Sequence, residues 1–244
     1  MNPFEALASA AGELHYSVAN NCFSMPQPRR AESFRSLAVR ELSRHEPISA
    51  KTKAAGIGPV ITPARFVSGA TSRENAAVES LSFIPLDCDN KHADPELGLE
   101  VEPAYPRMIE ILLEAHGWEA AIYSSNSHDP EWPKFRTLLP LSRPATPDEY
   151  AVLVDYTATK LFGAGAFESG ILDTCSRKPS HPYFRPSCPA ERMDKAFSKY
   201  LPGRPLDVDW VLENHQLPLT AVDDRSFDSK NPVHDRSPFA LINQ

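Results

Sequence analysis

Apolar positions cluster into short runs separated by turns rich in proline and glycine, so the pattern predicts many brief elements. Over residues 32–44, Phe34, Leu37, Ala38 and Leu42 recur at helical spacing with arginines between them, which predicts an amphipathic helix. IGPVIT at 57–62 predicts a short strand. LSFIPLD at 81–87 is an unbroken apolar run ending in aspartate, the pattern of a buried strand, and Pro85 within it predicts an edge or a bulge. PRMIEILLEAHG at 106–117 places Met108, Ile109, Leu112 and Leu113 on one helical stripe and stops at Gly117. EAAIYSS at 119–125 and RTLLPL at 136–141 predict two further strands, with NSHDPEWPK as the loop between them. TPDEYAVLVDYTATKLFG at 146–163 is the clearest helix. Thr146 and Glu149 form a capping box, Pro147 takes the first helical position, and Gly163 closes it. HPYFRP at 181–186 predicts an extended piece, and residues 190–200 and 207–215 predict short helices.

Strand, helix, strand, strand, helix, strand is the order of a split βαβ unit. The expected fold class is therefore α/β (α+β), with a ferredoxin-like, RRM-like βαββαβ core over residues 81–190. Residues 1–80 form a smaller N-terminal α/β layer packed on that core, 191–217 supply C-terminal helices, and the weakly patterned residues 218–244 are a tail or linker.

Composition narrows the function classes. The chain of 244 residues can bury a sizeable core. No apolar run approaches the roughly 18 residues a membrane helix requires, and the N-terminus lacks the basic flank and apolar run of a signal peptide, so a cytoplasmic protein without a membrane partner is expected. Cys22, Cys88, Cys175 and Cys188 are scattered, which suits a reducing compartment better than a disulfide scaffold. The net charge of −7 works against phosphate contacts, yet residues 29–53 hold seven basic side chains against three acidic ones, enough for a basic face. Proline, at 24 residues, is about twice its usual share and fits short elements joined by stiff turns.

Candidate chemistry follows from topology. In a ferredoxin-like sheet the end of the first strand shares an edge with the end of the second and the starts of the third and fourth. That edge collects Asp87 and Asp89, then Ser125, Ser127 and His128, then Lys134 and Arg136, and finally Asp173, Arg177 and Lys178. Aspartates two apart on a strand point to one face. A third carboxylate beside them would make a set of oxygen ligands suited to hard divalent cations and phosphoryl transfer. His128, Arg136 and Arg177 could hold a triphosphate, the arginines in bidentate fashion.

DCD at 87–89, SSNSH with FRTLLPLSRP at 124–144, and LDTCSRKPSHPYFRPSC at 172–188 resemble the three motifs of the archaeo-eukaryotic primase superfamily, most of all the primase–polymerase domains of plasmid and phage replication proteins. The resemblance spans about residues 57–190 and implies a DNA primase, with or without polymerase activity, that joins nucleotides on a template by a two-metal mechanism. It implies Asp87, Asp89 and Asp173 as catalytic ligands of Mg²⁺ or Mn²⁺ and His128 as a nucleotide contact; the chemistry of Arg136 and Arg177, and of Ser125 or Ser127 in place of the motif's serine, adds these as nucleotide-binding residues. Single-stranded DNA template, nucleoside triphosphates and a replicative helicase are the implied partners. One departure stands out: Asn126 occupies the position two before His128, where the family's Ser-x-His motif has serine, with Ser125 and Ser127 on either side.

Other readings compete. A nucleic-acid-binding replication-initiator module without chemistry fits the acidic net charge. A nicking endonuclease would need a His-x-His pair, which His181 and Tyr183 do not form. Cys175, His181 and Cys188 have zinc-ligand chemistry but no Cys-x-x-Cys pair and no fourth ligand. Trp118, Trp132 and Trp210 suit packing, and Trp132, beside His128, could also stack on a base.

Overall fold

The computed structural model describes residues 13–91 and 102–215; the expected tail at 218–244 lies outside them. In chain order the elements are β1 (Leu14–Asn21), β2 (Gln27–Ala31), α1 (Phe34–Leu37), β3 (Glu46–Pro47), α2 (Ala50–Ala54), β4 (Ile57–Thr62), β5 (Ala64–Phe66) and β6 (Val78–Cys88). Then come α3 (Pro106–His116), β7 (Ala120–Ser124), β8 (Phe135–Ala145), α4 (Pro147–Phe162), β9 (Tyr183–Phe184), β10 (Ser187–Cys188), β11 (Ser198–Leu201) and α5 (Val208–Asn214). The architecture is mixed α/β.

Local chemistry sets the helix limits. Ser33 and Ser36 cap α1 reciprocally, and the helix widens into a π turn over Ala38–Leu42. Thr146 and Glu149 do the same for α4, with Pro147 in its first turn. Gly117 adopts φ 65° at the end of α3, a left-handed conformation that costs glycine nothing.

A five-stranded sheet in the order β11-β7-β8-β6-β5, with every neighbour antiparallel, forms the centre. Alternate residues of β6 face opposite ways. Ile84, Leu86 and Cys88 pack with Ile109 and Leu113 of α3 and with Leu153, Val154 and Leu161 of α4. Phe83 joins Tyr123 and Leu138 against Tyr16, Phe34, Leu37 and Ile61 of the first layer. Both faces are covered, which explains why the strand is apolar without alternation. A second sheet, β2-β1-β4-β9, carries that first layer, and β3 pairs in parallel with β10.

The order β6-α3-β7-β8-α4 is the expected one, but the last strand is placed differently. Tyr183 and Phe184, within the expected strand 181–186, pair with β4 in the second sheet. Beside the end of β6 lie residues 171–173, bridged through Cys88 and Leu172, with the Asp89 amide donating to the Ile171 carbonyl at 2.9 Å and the Asp173 amide to the Asp87 carbonyl at 2.8 Å. The strand is this short because Asp173 caps a 3₁₀ turn over Thr174–Arg177, accepting from the Cys175 amide at 2.8 Å. Pro85 sits where β6 has no strand on that side: the amides of Asp87 and Asp89 point to the same edge, so an N–H at residue 85 would have faced the gap between β5 and residues 171–173.

Three further expectations change. Met108 is 59% exposed and leaves the buried stripe of α3 to Ile109 and Leu113. Residues 198–201 form edge strand β11 on β7 rather than the end of a helix, because β7 has an open edge there; a 3₁₀ turn covers Ala190–Lys195. β5, from the expected N-terminal layer, belongs to the central sheet, and β9, from the expected core, to the second sheet. Each sheet therefore takes strands from both sides of the expected boundary at 80, and β11 carries the central sheet past 190.

Phe83 joins the layers, with no exposed surface and its ring 6.4 Å from that of Phe34. Phe83→Ala is expected to lower stability by about 3–5 kcal/mol, read from the shift of the urea unfolding midpoint at unchanged slope.

Candidate active site

The face of β6 that carries Phe83 carries Asp87 and Asp89 at its carboxyl end. The ladder fixes their neighbours. Asp87 lies opposite Arg136, Arg136 opposite Tyr123, and the bridge between Cys88 and Leu172 sets Asp173 beside Asp87 on the other side. A row of Tyr123, Arg136, Asp87 and Asp173 thus crosses the sheet, and Asp89 stands one step along.

Each carboxylate has a cation. Arg136 donates from Nη2 to Asp87 Oδ2 at 2.8 Å and from Nη1 to the Phe184 carbonyl at 3.0 Å, with its guanidinium 5.9 Å from the Tyr183 ring centre. Burial works against its charge, but Asp87 outweighs burial and raises its pKa. Its buried Nε has no partner among the described residues. Burial likewise opposes ionisation of Asp89, yet Lys134 at 2.8 Å and Lys91 at 3.4 Å lower its pKa. Asp173 accepts from Lys91 and from the Cys175 amide, which overcome burial and hold its pKa down at about 2. The Lys91 ammonium therefore sits between the carboxylates of Asp89 and Asp173.

Lys134 links this acidic row to the histidine. Its backbone amide donates to His128 Nδ1 at 3.2 Å while its ammonium holds Asp89. An accepting Nδ1 leaves Nε2 as the protonated nitrogen of the neutral ring. Burial lowers the His128 pKa, and its ring meets Phe197 edge-on at 5.2 Å. Ser125 shapes the turn, donating to the Lys134 carbonyl and accepting from the His128 amide through its backbone, and Ser127 is exposed. Asn126, where the motif would have serine, is buried and donates to the Ile48 carbonyl at 2.8 Å. The side chain is a brace between loops, so a serine in its place would lose that reach.

Two groups escaped the sequence-based site. Lys53, on α2, lies 5.7 Å from the Phe184 ring centre; burial first, then Arg136, lower its pKa to about 8, while Asp87 and Asp89 oppose them. The basic run 29–53 was the signal for it. Lys91 stands two residues after the DCD motif and had no pattern to mark it.

Other expected residues lie elsewhere. Arg177 turns toward α4, 3.5 Å from Asp155 and 3.6 Å from Glu168, with its guanidinium 4.0 Å from the Phe167 ring centre. The 3₁₀ turn that Asp173 starts carries it off the acidic face. Trp132 donates from Nε1 to the Asn90 carbonyl at 2.8 Å and so braces the loop; Asn90 itself has φ 45° and holds Ala104 and Pro133 through its side chain. Cys188 Sγ lies 3.0 Å from Met193 Sδ, whereas Cys175 is buried beneath Asp87 and Asp173.

Among the described residues, no three of His, Cys, Asp and Glu stand so as to enclose a metal ion. That applies both to Cys175, His181 and Cys188 and to the three aspartates, each of which is drawn onto a basic partner. The donor set still fits a hard cation: two carboxylates already share one positive centre, the Lys91 ammonium, with a third carboxylate adjacent.

No family profile and no curated protein matches the chain. Among solved structures, the chain is similar to the AEP domain of the cyanophage S-2L primase-polymerase, at 12% identity and a TM-score of 0.40, over 85% of this chain and 92% of that one. No helix among the described residues is long and apolar enough to cross a membrane.

Burial, with Arg136, Lys178 and Arg73 adding to it and Asp173 opposing, lowers the His181 pKa to about 4. An unfolded histidine titrates near 6.5, so the unfolded chain takes up this proton first as pH falls. Stability contributed by neutral His181 is complete above about 6.5 and declines toward about 4. His181→Gln is expected to remove that slope, measured as urea midpoints across the interval.

Proposed function

We propose that the chain is a template-dependent nucleotidyltransferase, a DNA primase or primase–polymerase. The observation that carries this reading is the sharing of one cation, the Lys91 ammonium, by Asp89 and Asp173 directly beside Asp87, on a single face of one sheet edge. The three motifs that resemble those of archaeo-eukaryotic primases supply these same residues. Asp87, Asp89 and Asp173 would hold Mg²⁺ or Mn²⁺, which when bound would activate a 3′-hydroxyl and neutralise a leaving pyrophosphate.

The chain's own residues supply the rest. Arg136, locked between Asp87 and the Phe184 carbonyl, keeps the Asp87 carboxylate on the working face. His128, with Nδ1 committed to the Lys134 amide, offers an Nε2–H donor to a phosphate oxygen. Ser125 and Ser127 add hydroxyls on the same turn, and the Lys134 ammonium, released from Asp89, is a second phosphate partner. Arg177 has no part in this site. Single-stranded DNA and nucleoside triphosphates are the substrates of this reading, and replication of a plasmid or phage is its setting.

A second reading has its own observation. Lys91, Lys134 and Arg136 already neutralise the acidic row, so the edge is electrostatically complete as it stands, as a non-catalytic nucleic-acid-binding module would be.

Primer extension with Mg²⁺ or Mn²⁺ on primed and unprimed single-stranded templates separates the two. Asp89→Asn and Asp173→Asn are expected to reduce nucleotide incorporation by at least about 10²-fold, with circular dichroism unchanged. Wild-type protein that binds the template equally with and without metal and incorporates nothing would select the binding module.

A further inference from the structure

We infer that the β1–β2 hairpin is a docking site for single-stranded DNA, with Phe23 as a base-stacking platform and Lys53 and Arg73 as phosphate contacts. The inference rests on the nucleic-acid reading above and deepens it by naming where the strand lies.

The hairpin tip is built to present a ring. Asn21 Oδ1 accepts from the Phe23 amide at 2.8 Å, the Ser24 amide at 2.7 Å and the Ser24 hydroxyl at 3.0 Å, which fixes the turn. The Cys22 amide donates to the Gly56 carbonyl at 2.9 Å and ties the tip to the loop after α2. Phe23 is nonetheless 77% exposed. Its ring rests on the backbone of Gly56, at φ 72°: a Cβ on that residue would stand 2.5 Å from a ring carbon. Any side chain there would push the ring away. The phenyl group is thus supported from beneath and open above, and Ile57 beside the same loop is 54% exposed.

The surroundings say which occupant fits. The Lys53 carbonyl accepts from the Gly56 amide at 2.8 Å, so its helix ends under the platform. Arg73, Arg136 and Lys53 all act on the Cys22 thiol, one residue from Phe23. Burial lowers the pKa of both Lys53 and Arg73; Asp87 and Asp89 act on Lys53 only from a distance, and among the described residues neither cation stands in an ion pair. Half-buried cations without a carboxylate partner are costly unless an anion comes to them. An aromatic face bordered by such cations matches a single strand, whose unpaired bases offer π-faces and whose backbone offers phosphates at close spacing. A duplex keeps its bases stacked inside, and an apolar protein partner would leave the two cations unmatched. Arg136 also places this lip next to Asp87, so a strand held here runs up to the acidic row.

The test is binding of a labelled oligothymidylate by fluorescence anisotropy in EDTA, which keeps it independent of metal chemistry. Phe23→Ala is expected to weaken binding about tenfold, the scale of one lost base stack, with the salt dependence unchanged. Lys53→Gln and Arg73→Gln are each expected to lower the slope of log affinity against log salt by about 0.7. Phe23→Trp should retain affinity, and its indole emission, taken as the difference from wild type, should be quenched by the oligonucleotide and left alone by free thymidine triphosphate. Wild-type affinity in Phe23→Ala, or an unquenched Phe23→Trp with bound oligonucleotide, overturns the platform while leaving the proposed activity standing. Quenching by the triphosphate alone overturns it too and assigns the ring to the incoming nucleotide. A wild type that binds no oligonucleotide removes both this inference and the reading beneath it. Phe23 projects into solvent, so its variants are expected to fold as wild type, which unchanged thermal unfolding verifies.

Discussion

A guanidinium enclosed between two sheets must meet an anion there, and Arg136 meets Asp87 across the β6–β8 ladder at 2.8 Å. Most of the acidic edge depends on this pair. It fixes the face on which Asp87 lies; strand periodicity then fixes Asp89, and the short bridge to residues 171–173 fixes Asp173. The second hydrogen bond, to the Phe184 carbonyl, ties the central sheet to the second one at the same point. Buried ion pairs contribute little net stability beside a well-packed apolar substitute, but they are expensive to break from one side. The pair is better understood as setting geometry than as adding strength.

The charges around it balance at short range. Lys91 and Lys134 keep Asp89 and Asp173 ionised despite burial, so the carboxylates are anionic over the whole neutral range. Lysine ammonium groups are flexible point charges on long stems, whereas the bidentate-capable Arg136 is enclosed. The edge thus combines one enclosed cation with two on flexible stems.

Much of this was legible in the chain. The unbroken run LSFIPLD announced a strand buried on both faces, the capping box at Thr146 and Glu149 set the start of α4, and Asp-x-Asp put two carboxylates on one face. The last strand was misplaced: pattern put it at 181–186, whereas the segment beside β6 is 171–173, too short to show a pattern because Asp173 is at once a bridge-flanking residue and the cap of a turn. Arg177 was misplaced for the same reason. Lys53 escaped because nothing in a basic run says which member a helix will aim inward. Lys91 escaped because an ammonium's role there depends on two carboxylates from separate segments meeting around it.

The exchange of strands between the sheets has a further consequence. Chain order would put a cut near residue 80, yet a fragment ending there would carry β5 without β6 to receive it, and the remainder would carry β9 without β4. Each half would present raw backbone donors and acceptors along an edge meant for the other. Folding of one sheet therefore waits on the other, and the layers rise and fall as one cooperative body.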